Sequence, residues 1–412
     1  MTTTSKHPET LVLHGGNYRK DPTTNAVAVP IYQTTSYEFN STEHAGNLFA
    51  LKELGNIYTR IMNPTNAVLE ERLAAIEGGA AALAVSSGQA ASALTIQNVA
   101  QAGDNIVCST DIYGGTWNLF YNTLRAQGID VRFADPSDPE NFRKLTDDKT
   151  RAYYAETLPN PKLTVFPIEE VANIGRPLGI PLIIDNTAAP LSCKPFEYGA
   201  AVVMHSMTKW IGGHGTSIGG IIIDGGNFDW TANPDRQPLF NQPDASYHGA
   251  VWGDIVPQIF GVQIAFAIRA RVVMLRDLGA AIAPQNSFNL IQGLETLPLR
   301  LKQHNSNAEQ VADFLKAHEQ ISKITFPKFA QGKSKENADK YLNGNYGSMI
   351  VIELKNGVQG GKAFIDALEL HYHVANIGDA RSLAIHPAST THSQLTPDEQ
   401  LKAGVTPGYV RL

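Results

Sequence analysis

Between residues 81 and 224 the chain repeats one pattern, a short apolar run, a turn, and then a polar or helical stretch. The runs are Ala81–Val85, Asn105–Cys108, Ile129–Phe133, Ala152–Ala155, Leu182–Ile184, Val202–His205 and Ile218–Asp224. Helical patterns lie between most of them, at 89–100, 115–127 and 167–174. Strands that are apolar on both faces and alternate with helices predict an α/β fold, with a mostly parallel sheet covered on both sides. Ligands of open α/β sheets sit beyond the carboxyl ends of the strands. The loops leaving these runs are therefore where chemistry is expected.

The flanks read differently. Residues 1–60 are rich in Thr, Asn and Pro and weakly periodic, which predicts an extended arm with little core of its own. Thr65 then precedes a helix whose Leu69, Leu73 and Ile76 share one face, ended by Gly78-Gly79. Near residue 260 the alternation stops. A long helical stretch at 258–280 leads through Pro284 and a Gly293–Pro298 turn to another helix. There Ala308, Val311, Ala312 and Leu315 share one helical face. Strands at 348–354 and 372–377 flank a helix at 361–369. The expected division is an arm at 1–60, an α/β domain at 61–262 and a smaller α+β domain at 263–412.

Composition removes several classes of function. A formal charge of −6 and a pI near 6.1 leave no electrostatic footprint for nucleic acid. The sequence has no run of ~18 uncharged apolar residues for a membrane helix. Its first residues lack the apolar core of a signal peptide. Cys108 and Cys193 stand far apart and outside any Cys-x-x-Cys, which suits a reducing cytoplasm and removes a cysteine zinc site. His386 and His392 are six apart, poor ligand spacing on one helix face, and no His-Glu-x-x-His occurs, so no metal is expected.

Three groups fall beyond strand ends. Asp185 closes Pro181-Leu-Ile-Ile-Asp185, and Lys209 leaves Val202-Val-Met-His-Ser206-Met-Thr208-Lys209 ahead of a glycine-rich loop. Ser86-Ser87-Gly88-Gln89 opens an alanine-rich helical pattern. Singly, each has an ordinary explanation as a strand-end cap, a solvated lysine or a helix N-cap. Together they meet the needs of pyridoxal phosphate (PLP): an amine for its aldehyde, an anion for its pyridinium nitrogen and a cradle for its phosphate. Lys209 supplies the first as a Schiff base and Asp185 the second, which keeps the ring nitrogen protonated and the ring electron-withdrawing. The amides of Ser87, Gly88 and Gln89 at a helix N-terminus supply the third. Ser206 and Thr208 add hydroxyl donors, and Tyr113 ends another strand where it can stack on the ring. A nicotinamide-dependent dehydrogenase is disfavoured. Gly213-His-Gly215-Thr-Ser-Ile-Gly219 has one residue too many for Gly-x-Gly-x-x-Gly and runs into a strand. A P-loop and a Gly-x-Ser-x-Gly are missing as well.

His205-Ser-Met-Thr-Lys209-Trp-Ile-Gly-Gly-His-Gly215 resembles the cofactor-lysine signature of the Cys/Met-metabolism PLP enzymes, the cystathionine γ-synthase-like family. Tyr58-Thr-Arg60-Ile-Met-Asn-Pro-Thr65, Glu156-Thr-Leu-Pro-Asn160-Pro, Asp185-Asn-Thr and His386-Pro-Ala-Ser-Thr-Thr-His392 match its other blocks in order, over nearly the whole chain. The resemblance implies a type I, aspartate-aminotransferase-like fold and a homotetramer of two close dimers. It also implies that Tyr58 and Arg60 reach the neighbouring subunit's phosphate, that Asn160 lies at the cofactor, and that Arg411, with Asn376, binds the substrate's α-carboxylate. The family's pattern runs on past Val410-Arg411-Leu412 with a glycine-containing strand and a helix, so a final domain of lower stability is expected here.

Within the family, Gly212–Gly220, Gly226-Asn-Phe-Asp-Trp230, Ser246-Tyr-His-Gly249 and Val374-Ala-Asn376-Ile-Gly-Asp-Ala380 most resemble the members that add sulfide to O-acetyl-L-homoserine. The family's γ-lyases usually carry Asp where Thr216 stands and Ser where Asn376 stands. The activity this implies is γ-replacement by sulfide or a thiol. Lys209 would act as acid and base, with Tyr113 assisting. A methionine or cystathionine γ-lyase is the alternative within the family, and a non-catalytic PLP-binding protein the alternative outside enzymes.

Overall fold

All seven apolar runs become strands of one sheet: β1 (Ala81–Val85), β2 (Asn105–Ser109), β3 (Asp130–Ala134), β4 (Thr150–Glu156), β5 (Leu182–Asp185), β6 (Val202–Ser206) and β7 (Gly220–Asp224). The computed structural model describes residues 3–53, 55–391, 393, 396–402 and 404–412; His392 lies outside the described residues. The strand order is β1-β7-β6-β5-β4-β2-β3. Strands β6, β5, β4, β2 and β3 are mutually parallel, and β7 is antiparallel to both β1 and β6. Two reversals restore direction, so β1 points the same way as β6. The carboxyl ends of β1, β6, β5, β4 and β2 therefore emerge along one edge.

Burial explains why these strands lack polar alternation. Successive residues point to opposite faces, and both faces are covered. Ile184, Val203 and Ile221 pack with Leu69, Leu73 and Ile76 on one side, while Ile183, Val202 and Ile222 pack with Leu94, Phe120 and Trp230 on the other. Each such side chain contributes about 1.5–3 kcal/mol by leaving water.

The helix against the first face spans Pro64–Glu77, so Thr65 lies inside it rather than before it. Asn63 is the cap, its Oδ1 accepting the Thr65 amide at 2.9 Å, with proline in the first turn and Gly78 left-handed at the exit. The helix expected at 115–127 begins as Gly114–Asn118 and continues as a π-helical turn at Leu119–Leu124. Helices Pro8–His14 and Thr42–Phe49 lie within the arm, and Leu11 and Val12 are buried in the main core.

Two expectations beyond the sheet are corrected. The stretch 258–280 is not one helix. Trp252–Phe260 ends at Gly261, whose φ of 70° suits a glycine stop, and Ala265–Leu278 restarts at 107° to it. No single helix among the described residues is long and apolar enough to cross a membrane. The Gly293–Pro298 turn is also absent, because Pro284–Glu295 and Leu297–Lys316 follow each other with only Thr296 between. Gly293 serves close packing instead: a Cβ there would lie 2.3 Å from the Gly212 carbonyl oxygen.

The C-terminal part carries an antiparallel sheet of β8 (Ile321–Thr325), β9 (Val351–Leu354) and β12 (Tyr409–Arg411), ordered β12-β9-β8. The short parallel pair β10 (Tyr372–His373) and β11 (Leu383–Ala384) stands beside it. The strand expected at 372–377 thus stops after two residues, and β8 and a helix at Gly332–Leu342 add to the expected elements. Arg411 is not frayed. Its amide and carbonyl both bond Ile385 at 3.0 Å, and it stands opposite Val351 in register.

Candidate active site

The edge defined by the strand ends collects most of the candidate residues. Register places Asp185 beside Glu156 on one side and Met204 on the other, and places Ser206 across from Gly220, which in turn faces Val85. The turn after β1 then folds onto β6 and β7. A Cβ on Gly220 would lie 2.0 Å from the Ser87 carbonyl oxygen, and one on Gly88 would lie 2.6 Å from Ser206 Cβ. Only glycine allows that approach.

Ser87 caps the helix Gly88–Gln97, its Oγ accepting the Ala90 amide at 3.0 Å. Gly88 and Gln89 occupy the helix's first turn, where an amide has no acceptor within the helix. With the Ser206 hydroxyl beside Gly88 they form a donor cradle of the kind a phosphate fits. Thr208 contributes differently. Its Oγ1 lies 3.2 Å from the Gly219 amide and 3.3 Å from the Gly219 carbonyl, so that hydroxyl braces the glycine-rich loop.

Asp185 is half-buried beneath this edge. Its Oδ1 accepts the Thr187 amide at 2.9 Å and the Thr187 hydroxyl at 2.5 Å, and Thr187 Oγ1 accepts the Ser206 amide at 2.7 Å. Burial raises the Asp185 carboxyl above the usual range, against the Thr187 bonds and the nearby His205. A half-buried carboxyl with both Thr187 bonds on one oxygen suits a cationic N–H donor. The pyridinium nitrogen of PLP is such a donor. Thr187 was passed over in the sequence; its spacing of two from an aspartate was the available signal.

A second set of residues converges from three loops and from β12. Lys209 Nζ donates to Asn376 Oδ1 at 2.9 Å, Arg411 Nη2 donates to the Asn376 carbonyl at 2.9 Å, and Arg411 Nη1 donates to Asn160 Oδ1 at 2.9 Å. Burial lowers the proton affinity of Lys209, and the charge of Arg411 lowers it further. Tyr113 sits within electrostatic range of Arg411, with its ring over Gly115 and half exposed. Its amide donates to Glu156 Oε1 at 2.6 Å. Gln89 accepts the Thr116 hydroxyl at 3.3 Å, which links the cradle helix to the helix after Tyr113.

Tyr58 and Arg60 stand apart from this cluster. The Arg60 guanidinium lies 5.5 Å from the Tyr58 ring centroid and donates to the Arg276 carbonyl. Their described contacts are with the arm and with that segment rather than with Ser87, Gly88 or Ser206 of the same chain. Behind the site lies a buried pair that sequence reading left without a role: His205 Nε2 and Glu77 Oε1, 2.8 Å apart.

The chain is similar to known proteins over nearly its whole length. The pattern of the Cys/Met metabolism PLP-dependent enzymes matches residues 9–412. An O-acetyl-L-homoserine sulfhydrylase of Leptospira meyeri is 54% identical over 411 residues, covering 98% of this chain and 92% of the relative. O-acetyl-L-homoserine sulfhydrylase 1 of Thermus thermophilus is 49% identical over 407 residues, covering 98% and 95%. The crystal structure of a putative O-acetylhomoserine (thiol)-lyase from Campylobacter jejuni contains N'-pyridoxyl-lysine-5'-monophosphate. It superposes with a TM-score of 0.93 at 41% identity, over 98% of this chain and 95% of that one.

Proposed function

Because the chain belongs to the Cys/Met metabolism PLP-dependent enzyme family, we propose that it catalyses γ-replacement on O-acetyl-L-homoserine. With sulfide the products are L-homocysteine and acetate; with a thiol such as methanethiol, methionine and acetate. The sulfhydrylase names of the relatives support the acetyl ester as substrate. The observation that carries the reading is the bonded chain Lys209–Asn376–Arg411–Asn160. It sets a half-buried amine beside a half-buried guanidinium, as deprotonation of a carboxylate-bearing amino acid requires.

Bound PLP supplies the electron sink for negative charge developing on the substrate. Lys209 would hold its aldehyde, Asp185 would meet its ring nitrogen, and Ser87, Gly88, Gln89 and Ser206 would surround its phosphate, with Thr208 bracing the glycine-rich loop beside them. Arg411 grips the substrate carboxylate through its two-pronged fork, and Asn376 and Asn160 orient that fork. Lys209 Nζ, freed by the substrate amine, takes the proton from Cα, takes one from Cβ only after passing the first on, and returns protons to both carbons once sulfide has added. Its lowered proton affinity leaves more of it neutral and able to accept a proton. Tyr113, beside Arg411, assists proton movement as acetate leaves Cγ and sulfide takes its place.

We further propose a homotetramer in the cytoplasm, with Tyr58 and Arg60 completing the neighbour's phosphate site. The arm is assigned to 1–60, the α/β domain to 61–262 and the α+β domain to 263–412. Product analysis tests the activity. Homocysteine and acetate should form from the acetyl ester with sulfide, and faster than from the succinyl ester. Release of 2-oxobutanoate and ammonia at the same rate with or without sulfide would assign a γ-lyase instead.

A further inference from the structure

Glu156 ends β4, between β2, whose exit loop carries Tyr113, and β5, which ends in Asp185. It is 6% exposed and stands in register with the half-buried Asp185, so two carboxyl groups meet at one strand-end position. Such a placement is costly, and a strand-end cap alone would be served by a neutral side chain. Burial, and then the charge of Asp185, push the Glu156 carboxyl well above its usual range. Its bonds go to two separate loops. Oε1 accepts the Tyr113 amide at 2.6 Å, and the carboxyl also takes the Asn160 amide. Asn160 in turn accepts Arg411 Nη1 at 2.9 Å. A second tie joins the same loops nearer the surface, where Asp111 Oδ1 meets Lys162 Nζ at 2.6 Å and Oδ2 accepts the Thr164 hydroxyl at 3.0 Å. That tie does not reach the Tyr113 amide.

We propose that Glu156 is a positioning residue for the reaction, fixing the loops of Tyr113 and Asn160 to one point of the sheet and acting through Tyr113. This rests on the role given to Tyr113 above. Half of the Tyr113 ring is open to solvent, and only its amide is held by the sheet. Loss of the Glu156 bond therefore frees the ring without removing it.

The test is a double-mutant cycle on the holoenzyme, with bound PLP and Tm recorded for each variant. Glu156→Ala should lower kcat at least tenfold in the parent and less than twofold in a Tyr113→Phe background. Glu156→Gln, which keeps an acceptor at the same reach, should recover most of the loss. If Glu156→Ala does not fold, Glu156→Asp withdraws the acceptor by one methylene and carries the same comparison. Equal fold-losses in the two backgrounds, with Tyr113→Phe itself impaired, overturn the proposal alone. Unchanged turnover in Tyr113→Phe overturns the role of Tyr113, and the proposal with it.

Discussion

Lys209 is the residue for which no substitute stands nearby, since its Nζ is the one amine bonded to the Asn376–Arg411 chain among the described contacts. Lys209→Ala should abolish turnover and the borohydride trapping of PLP on the protein; a trapped, active variant would overturn the assignment. Asp185→Asn should retain PLP while lowering kcat at least a hundredfold, about 2.7 kcal/mol of barrier. Its Oδ1 bonds to Thr187 can survive as amide bonds, so stability should change little. Turnover within threefold of the parent would identify Asp185 as a strand cap only. Arg411→Ala should lower kcat/KM for O-acetylhomoserine steeply with PLP still bound. Lysine should rescue poorly, because a point charge cannot bond Asn160 and the Asn376 carbonyl and still present a fork. Unchanged KM and kcat would place the carboxylate elsewhere. Asp185, Lys209 and Ser87–Gln89 were legible because each ends or follows a strand with an unmistakable apolar run. Thr187 offered only its spacing of two from Asp185, and Glu156 offered less, since its significance lies in bonds to two other loops that no spacing rule encodes.

At the scale of elements, strands were easier to read than helices. A strand buried on both faces announces itself by composition. The breaks at Gly261 and the continuity through Gly293 depend instead on what the backbone meets in space. Gly261 has open space around a notional Cβ and serves its positive φ, whereas Gly293 serves contact with Gly212. The restart after Gly261 uses a buried acid: Asp224 at the end of β7 accepts the Ala267 amide at 3.1 Å and the Gly226 amide at 3.0 Å. Burial outweighs these bonds and raises the Asp224 carboxyl to about 7. The folded state thus favours the protonated acid more than the unfolded chain does. Its contribution to stability is present below the ordinary carboxylate range and is lost as pH rises toward 7. Asp224→Asn removes that titration. Its Tm relative to the parent should therefore rise between pH 5 and pH 8; a constant difference would show that Asp224 does not titrate in this range.

The whole molecule poses a question that one chain cannot answer by itself. The arm docks its first helix on the core through Leu11 and Val12, yet Val27 is 81% exposed, Phe49 61% and Tyr58 40%. Apolar side chains left open along an arm that carries a phosphate-binding type of arginine fit burial against a second copy of the chain. In the proposed assembly the site would belong to two chains, with Lys209 from one and Arg60 from the other. Arginine suits the task because its planar fork donates two bonds to a phosphate, and here one of those donors rests on the Arg276 carbonyl. Arg60→Ala should weaken PLP retention without unfolding the chain, and Lys209→Ala should be inactive. A hybrid dimer of the two variants has one site with both defects and one site with neither. Equal mixing with free exchange should therefore restore about one quarter of parental activity, half of the dimers being hybrids with one intact site each. Confirmed hybrids with no recovered activity would show that Arg60 serves its own chain. The phosphate site would then close within a single subunit, and the exposed arm would need another partner.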